Sequence, residues 1–464
     1  MENVIRNDTT YIETYIKQNV GRVKSNPVFQ KVYVNEWDKY FVSWDETTEL
    51  SSPELTTPLP IPSNPNWKLW NSIIAFKDIV FHNDFGYMID GDLSNLNERF
   101  YIDCVTNKIS YTMTSTQSNY IGIHHSAIYC NLNNIIYIMP YRSAGSYPLW
   151  YIDTNKIHRY KTITDSSYSN LTINSYTYAG GVMDTKNKRI WFVPNHHNDA
   201  SQTTALIHRD FHYIDVTTND IGHITTANDD FPDYCNSNAG HNGGFFVDNK
   251  VYFIPKTYFT TKELLYYLDV STATPTFTSY TNATDGITNV GKGYVPSNGV
   301  LYDKKIYLIP SNTLTNEIYY IDTTTNLIHK IVNTSDTPFV NNTTGIYSGG
   351  CLTPDGYIYM SPQSNELMNS NSKKWHRINV ITNQIETYDV NNISYYRYNS
   401  SGTKITMNQA GKYFSNCKYH NGKVYFSLYS FIAGTNCDYP FQCYLDLNLE
   451  EDKKWNKNIH LLGC

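Results

Sequence analysis

The chain has 464 residues, 40% of them apolar and only 17% charged, with 42 tyrosines and a formal charge of −6 spread without long runs of either sign. That much aromatic surface excludes a disordered chain. The absence of a basic stripe argues against nucleic acid as a partner, and no stretch approaches the ~20 apolar residues of a membrane-spanning helix, so membrane insertion is not expected.

Residues 1–69 read as an N-terminal arm and linker. Thr10-Tyr11-Ile12-Glu13 fits a capping box, and Ile12, Ile16 and Val20 recur at four-residue spacing, which predicts a short helix from Thr10 to Val20. "KVYVNEWDKYFVSW" from Lys31 alternates as a hairpin does. "SSPELTTPLPIPSNPNW" from Ser51 is Pro-rich and reads as a semi-rigid linker. The arm is expected to cover a face of the following domain or to dock on a partner. Met1 to Gly21 lacks the cationic start and apolar middle of a signal peptide, so none is expected.

From residue 70 to 464 one phrase recurs: "FYIDCVTNKI" from Phe100, "LWYIDTNKI" from Leu149, "FHYIDVTTNDI" from Phe211, "YYLDVSTATPTF" from Tyr266, "YYIDTTTNLI" from Tyr319, "HRINVITNQI" from His376 and "CYLDLNLEEDKKW" from Cys443. The anchors Asp103, Asp153, Asp215, Asp269, Asp322, Asn379 and Asp446 stand 50 to 67 residues apart, the size of a propeller blade with generous loops. A second phrase precedes most copies, as in "IIYIMP" ending at Pro140, "RIWFVP" at Pro194, "KVYFIP" at Pro255, "KIYLIP" at Pro310 and "YIYMSP" at Pro362. "GYMID" and "KVYFSL" stand there in the first and last units. A third phrase opens several units with glycines: "AGGVMD", "NGGFFVD", "NGVLYD" and "SGGCLTPDG".

The chemistry of each phrase predicts four strands per unit. Alternating Ile, Tyr and Val suit a pleated strand, and "VDNK", "YDKK", "TPDG" and "YHNG" supply tight hairpin turns. Proline after "IYLI" is expected to end its strand, because it cannot donate to a ladder. The Asp of "IDTTTN" is expected to cap its turn by accepting from amides two residues on, while Asn326 tolerates a left-handed backbone. A four-stranded unit cannot bury both faces alone, so units must stack. The fold expected is therefore all-β, a seven-bladed β-propeller of four-stranded antiparallel blades, with a right-handed β-helix as the rival.

The b-strand followed by "Y-x-D-x-x-T-N" resembles kelch-type propellers over approximately residues 70 to 462. It departs from them where Pro replaces the glycine doublet after the b-strand and where Ile109, Ile328 or Ile385 stands near the kelch Trp. The whole pattern looks like a divergent kelch-like variant of the sort met in large DNA viruses and bacteriophages. That resemblance implies a virion or cytoplasmic location and a particle component.

Candidate sites are fewer. His124 and His125, the His196-His197 pair, and His241 with Asn242 stand where a channel mouth would bind a metal or an acidic ligand, or serve as hydrogen-bonded structural groups. None makes a repeated metal-ligand spacing, and no metal site or cofactor is expected. Tyr178, His241, Tyr294 and Tyr347 precede the glycine phrases and would fall near one rim, the basis of a glycan-binding alternative. The regular series Asp103, Asp153, Asp215, Asp269, Asp322 and Asp446 reads as structural turn caps, since catalytic carboxylates need differing environments.

No nucleophile elbow, HExxH helix, phosphate loop or sialidase-type turn is present, so an enzyme is not expected. A hydrolase or lyase with a channel site is the less favoured alternative. Eight cysteines at irregular spacing read as reduced, buried small hydrophobes. Long inserts from Asn195, Thr225 and Asn391 are rich in Tyr, Asn, Ser and His and suit adaptable binding. The function expected is a non-enzymatic interaction or structural module whose partners are other structural proteins of a larger assembly.

Overall fold

The computed structural model describes residues 28–34, 37–43, 76–90, 98–105, 108–113, 123–142, 149–154, 159–163, 178–194, 210–225, 241–255, 265–272, 274–280, 295–312, 316–335, 339, 346–362, 374–389, 396–398, 404–406, 414–428 and 443–447. The chain divides into two compact units. One comprises 1–57 with 450–457, and the other 58–449 with 458–464. In the first, Val28–Val34 pairs antiparallel with Trp37–Ser43, where the sequence alternates. The expected helix from Thr10 to Val20 and the linker from Ser51 lie outside the described residues.

The second unit is all-β. Its described residues form six four-stranded antiparallel meanders and a final three-stranded one, here sheets 1 to 7, plus a small hairpin of Tyr396–Tyr398 with Lys404–Thr406. Sheet 5 is representative, running Val295–Tyr302, Lys305–Asn312, Glu317–Asp322 and Leu327–Val332 in chain order. The first strands of the seven sheets are Phe76–His82, Ile123–Cys130, Tyr178–Asp184, His241–Val247, Val295–Tyr302, Tyr347–Leu352 and Phe414–His420. Each lies against the first strand of the next sheet, and that of sheet 7 lies against that of sheet 1.

This stacking explains why the second strands read as unbroken apolar runs. Side chains alternate faces along a strand, and here both faces are covered. Ile306 and Leu308 join a buried cluster with Tyr252 and Ile254 of sheet 4, while Tyr307 and Ile309 join one with Ile358 and Met360 of sheet 6. Equivalent clusters fill the junctions from sheet 1 to sheet 7. Between sheets 7 and 1, Phe81 stacks on His420 at 4.5 Å and meets Tyr425 at 4.9 Å. Each buried aromatic or branched side chain contributes about 1.5–3 kcal/mol relative to exposure, so the core is distributed between sheets rather than within any one of them.

Two of the five strand-ending prolines do not end their strands. Ile135–Arg142 and Lys305–Asn312 continue past Pro140 and Pro310. Both prolines sit opposite a β-bulge of the first strand, where the ladder is already interrupted, and pairing resumes at Ile123↔Arg142 and Val295↔Asn312.

Candidate functional site

Antiparallel order sends the first-to-second and third-to-fourth turns of a sheet to one end and its remaining connections to the other. Equivalent residues of neighbouring first strands lie side by side: Ser126 beside Gly180, Asn298 beside Gly243, Asn416 beside Gly349. The ends of successive sheets therefore coincide, giving the second unit a turn end and an open end.

The turn end is specified in detail among the described residues. Asp248-Asn249, Asp303-Lys304 and Asn421-Gly422 have positive φ at both positions, as a two-residue type I′ hairpin requires. Asp103 accepts a hydrogen bond from Val105 N at 2.9 Å, Asp215 from Thr217 N at 2.8 Å, Asp269 from Ser271 N at 2.9 Å and Asp322 from Thr324 N at 2.8 Å. Asn379 accepts from Ile381 N at 3.0 Å. Asp153 is buried, and Asp446 ends its strand opposite Lys423. Burial opposes the charge of Asp322, but the Thr324 hydroxyl and amide hold its carboxyl below the usual range. In all seven sheets the residue after this anchor donates its N–H to the carbonyl that ends the first turn, from Cys104 N to Asp84 O at 2.7 Å through to Leu447 N to Gly422 O at 3.1 Å.

A second set of bonds joins sheet to sheet. Tyr137, Tyr252 and Tyr307, the aromatic of the "IYIMP"-type phrase, each donate to the left-handed Asn of the next sheet's turn. They reach Asn219 Oδ1 at 2.5 Å, Asn326 Oδ1 at 2.6 Å and Asn383 Oδ1 at 2.6 Å. Burial drives all three phenols far above their ordinary range, so each hydroxyl remains a donor. Tyr425 of sheet 7, at the equivalent place, lies near the buried Cys104 thiol in the turn of sheet 1.

The open end differs. Every first strand carries a register shift near its start, at Phe76/Asp78, His124/Ser126, Tyr178/Gly181, His241/Gly244, Pro296/Asn298, Tyr347/Gly349 and Phe414/Asn416. Just inside these bulges lies a polar belt. A β-carbon at Gly180, whose φ is +139°, would lie 2.9 Å from Ser126 Oγ, and one at Gly243, φ +147°, 3.2 Å from Asn298 Oδ1. The glycine phrase is thus fixed by conformation and by a neighbour's side chain at once. Asn416 Nδ2 donates to Asp78 Oδ1 at 3.0 Å, spanning sheets 7 and 1, and Asp78 also accepts from Ile79 N at 3.0 Å. Burial raises the Asp78 carboxyl despite these donors and nearby Lys418.

His124, His125, His241 and Asn242 fall at the bulges of sheets 2 and 4. Tyr294 and His196-His197 lie outside the described residues. The place aligned with Tyr178 and Tyr347 is taken in sheet 5 by Pro296, since Pro296 faces Pro310 as Tyr178 faces Pro194 and Tyr347 faces Pro362. Tyr178 and Tyr347 are not rim surfaces, a correction to the glycan-binding expectation. Both are buried, Tyr178 with its hydroxyl 2.7 Å from His212 Nδ1, and Tyr347 2.5 Å from His376 Nδ1. Tyr347 also accepts from His376 N at 3.3 Å and packs with Phe339, leaving no ring face for a sugar. Sequence reasoning missed His212 and His376. Each stands three residues before its Asp or Asn anchor, an inward position the repeat already marks.

Among the described residues no three His, Cys, Asp or Glu side chains gather as a metal site, and no helix is long and apolar enough to cross a membrane. Cys104, Cys130, Cys351 and Cys417 are free and buried.

No protein-family model matches the chain, and no curated protein matches it. Solved structures that align with the chain include hydrazine synthase of Kuenenia stuttgartiensis, at 8% identity and TM-score 0.47, covering 77% of this chain and 93% of that one. The computationally designed Ika8 protein is also similar, at 8% identity and TM-score 0.43, covering 81% of this chain and 97% of that one. The Cps50 (Swd1) β-propeller domain of Myceliophteria thermophila aligns at 8% identity and TM-score 0.42, covering 80% and 98%.

Proposed function

We propose that sheets 1 to 7 close into a seven-bladed β-propeller that acts as a non-enzymatic scaffold and holds partner proteins of a larger assembly on its open end. The observation that carries this reading is a convergence. Segments 195–209, 226–240 and 390–413, the three Tyr-, Asn- and His-rich inserts, all connect strand ends at the open end, whereas turns, caps and Tyr–Asn bonds occupy the other. Loops mounted on a rigid frame are where recognition is usually placed. Contact between the first strands of sheets 7 and 1, with the Asn416–Asp78 bond and the packing of Phe81 on His420 and Tyr425, supports the ring. The kelch-like phrase order supports the most specific version, a viral or phage particle component, with the N-terminal unit as a second attachment point.

The test uses the full chain and the assembly that co-purifies with it. Segment 195–209 is replaced by a short Asn-Gly turn in one variant, and the hairpin segment 390–413 is shortened in another. Co-sedimentation lost in both, with cooperative unfolding unchanged, is the expected result. Binding retained in both but abolished by turn-end changes such as Thr218→Ala or Ile381→Ser would reject the open end as the binding face.

A further inference from the structure

A contact between first strands that recurs at three junctions takes a different chemical form between sheets 6 and 7. A β-carbon at Gly181 would lie 2.8 Å from Ile128 Cδ1, one at Gly244 2.9 Å from Val182 Cγ2, and one at Gly299 2.7 Å from Phe245 Cε2. A side chain of one sheet thus covers a glycine of the next. The covering residues Ile128, Val182 and Phe245 pair with Tyr137, Trp191 and Tyr252 of their own second strands, as Cys351 pairs with Tyr359. The covered residues Gly181, Gly244 and Gly299 pair with Phe192, Phe253 and Leu308, as Cys417 pairs with Phe426. Between sheets 6 and 7, then, a thiol lies over a thiol. Both thiols are buried in one apolar cluster, and Cys417 Sγ donates to Tyr359 O, the partner of Cys351 across the ladder, at 3.5 Å.

We propose that Cys351 and Cys417 form a redox clasp, a dithiol that oxidises to a disulfide and ties sheet 7 to sheet 6. The oxidant is a small external disulfide of the glutathione class. One cysteine thiolate attacks it, forming a mixed disulfide and releasing one small thiol. The other cysteine then displaces the second small thiol, forming the Cys351–Cys417 bond. The protein loses two hydrogens, and the external disulfide gains two electrons and two protons. Burial raises the Cys351 thiol well above its usual range, so attack begins when the junction opens, and the finished bond is shielded from reductant. Sheet 7 is the one that has three strands among the described residues. A bond closing the long 351–417 loop there restricts the unfolded chain most.

Full-length protein is incubated with excess oxidised glutathione in urea below the unfolding transition, free thiols are alkylated, and peptides are mapped without reduction. A cross-linked pair carrying Cys351 and Cys417, a mass lower by two hydrogens, and a rise in urea midpoint reversed by dithiothreitol are expected. Cys417→Gly, the residue that sheets 3, 4 and 5 carry in this place, should fold and show neither the cross-link nor the shift. Recovery of Cys351 and Cys417 as free thiols or as separate glutathione adducts would overturn the proposal.

Discussion

The two ends of the β unit are built from the same strands but specified differently. At the turn end the connections are two to six residues long, five of the third-to-fourth ones are capped by their own Asp or Asn, and three accept a bond from a tyrosine of the preceding sheet. At the open end, glycines and a polar belt at the bulges hold neighbouring first strands together. The lesson is that a repeat keeps its frame by making one end local and redundant, which frees the other end to vary in length and composition.

The hardest test of that frame is Gly180→Val. The new side chain would have to adopt a φ of +139° and displace Ser126 Oγ, so a loss of about 3 kcal/mol is expected from equilibrium urea unfolding. A loss below half of that would mean the bulge is not part of the frame.

At the turn end, Tyr307→Phe leaves Asn383 Oδ1 and Val380 O without their donor. Stability should fall by about 1–2 kcal/mol. A double-mutant cycle with Asn383→Ala should return a coupling of at least about 0.5 kcal/mol; additive losses would mean the bond between sheets contributes nothing beyond packing.

Asp78→Asn addresses the seam between sheets 7 and 1. The folded state raises the Asp78 carboxyl because burial penalises its charge. The neutral form is therefore favoured on folding, and wild-type stability from this group falls as pH rises through the raised value. Asn already occupies the same place in sheets 5 and 7. The variant should be the more stable protein at pH 7, with the difference shrinking below pH 4 in paired thermal melts. A gap that widened toward acid would show that the carboxylate, not the acid, is the form the fold prefers.

The smallest effect belongs to the open end. Replacing 195–209 by a short turn should change unfolding free energy by no more than about 0.5 kcal/mol, because loop-closure entropy varies slowly with length. A larger loss would place that segment within the frame.

Much of the frame was legible because it is local chemistry. Strand alternation, Asn-Gly and Asp-Lys hairpins, and an Asp that reaches amides two residues on are all decided within about ten residues, and they recur in register. The prolines were only partly legible. Whether Pro310 ends a strand depends on a bulge across the ladder, at Pro296, that proline chemistry alone does not announce. The candidate site was less legible still. Tyr178 and Tyr347 look like surface aromatics beside glycines, yet each turns inward to a histidine some thirty residues further along.

The sequence by itself determined seven β units, their strand order and their turn chemistry, since those follow from periodicity and from side chains acting on their own backbone. Tertiary structure alone decided what each unit does to its neighbour: why a glycine faces Ser126 or Asn298, which Asn receives a tyrosine proton, and why a carboxylate tolerates burial at the seam. Those outcomes depend on atoms brought together from about fifty to over three hundred residues apart, and linear spacing does not encode such proximity.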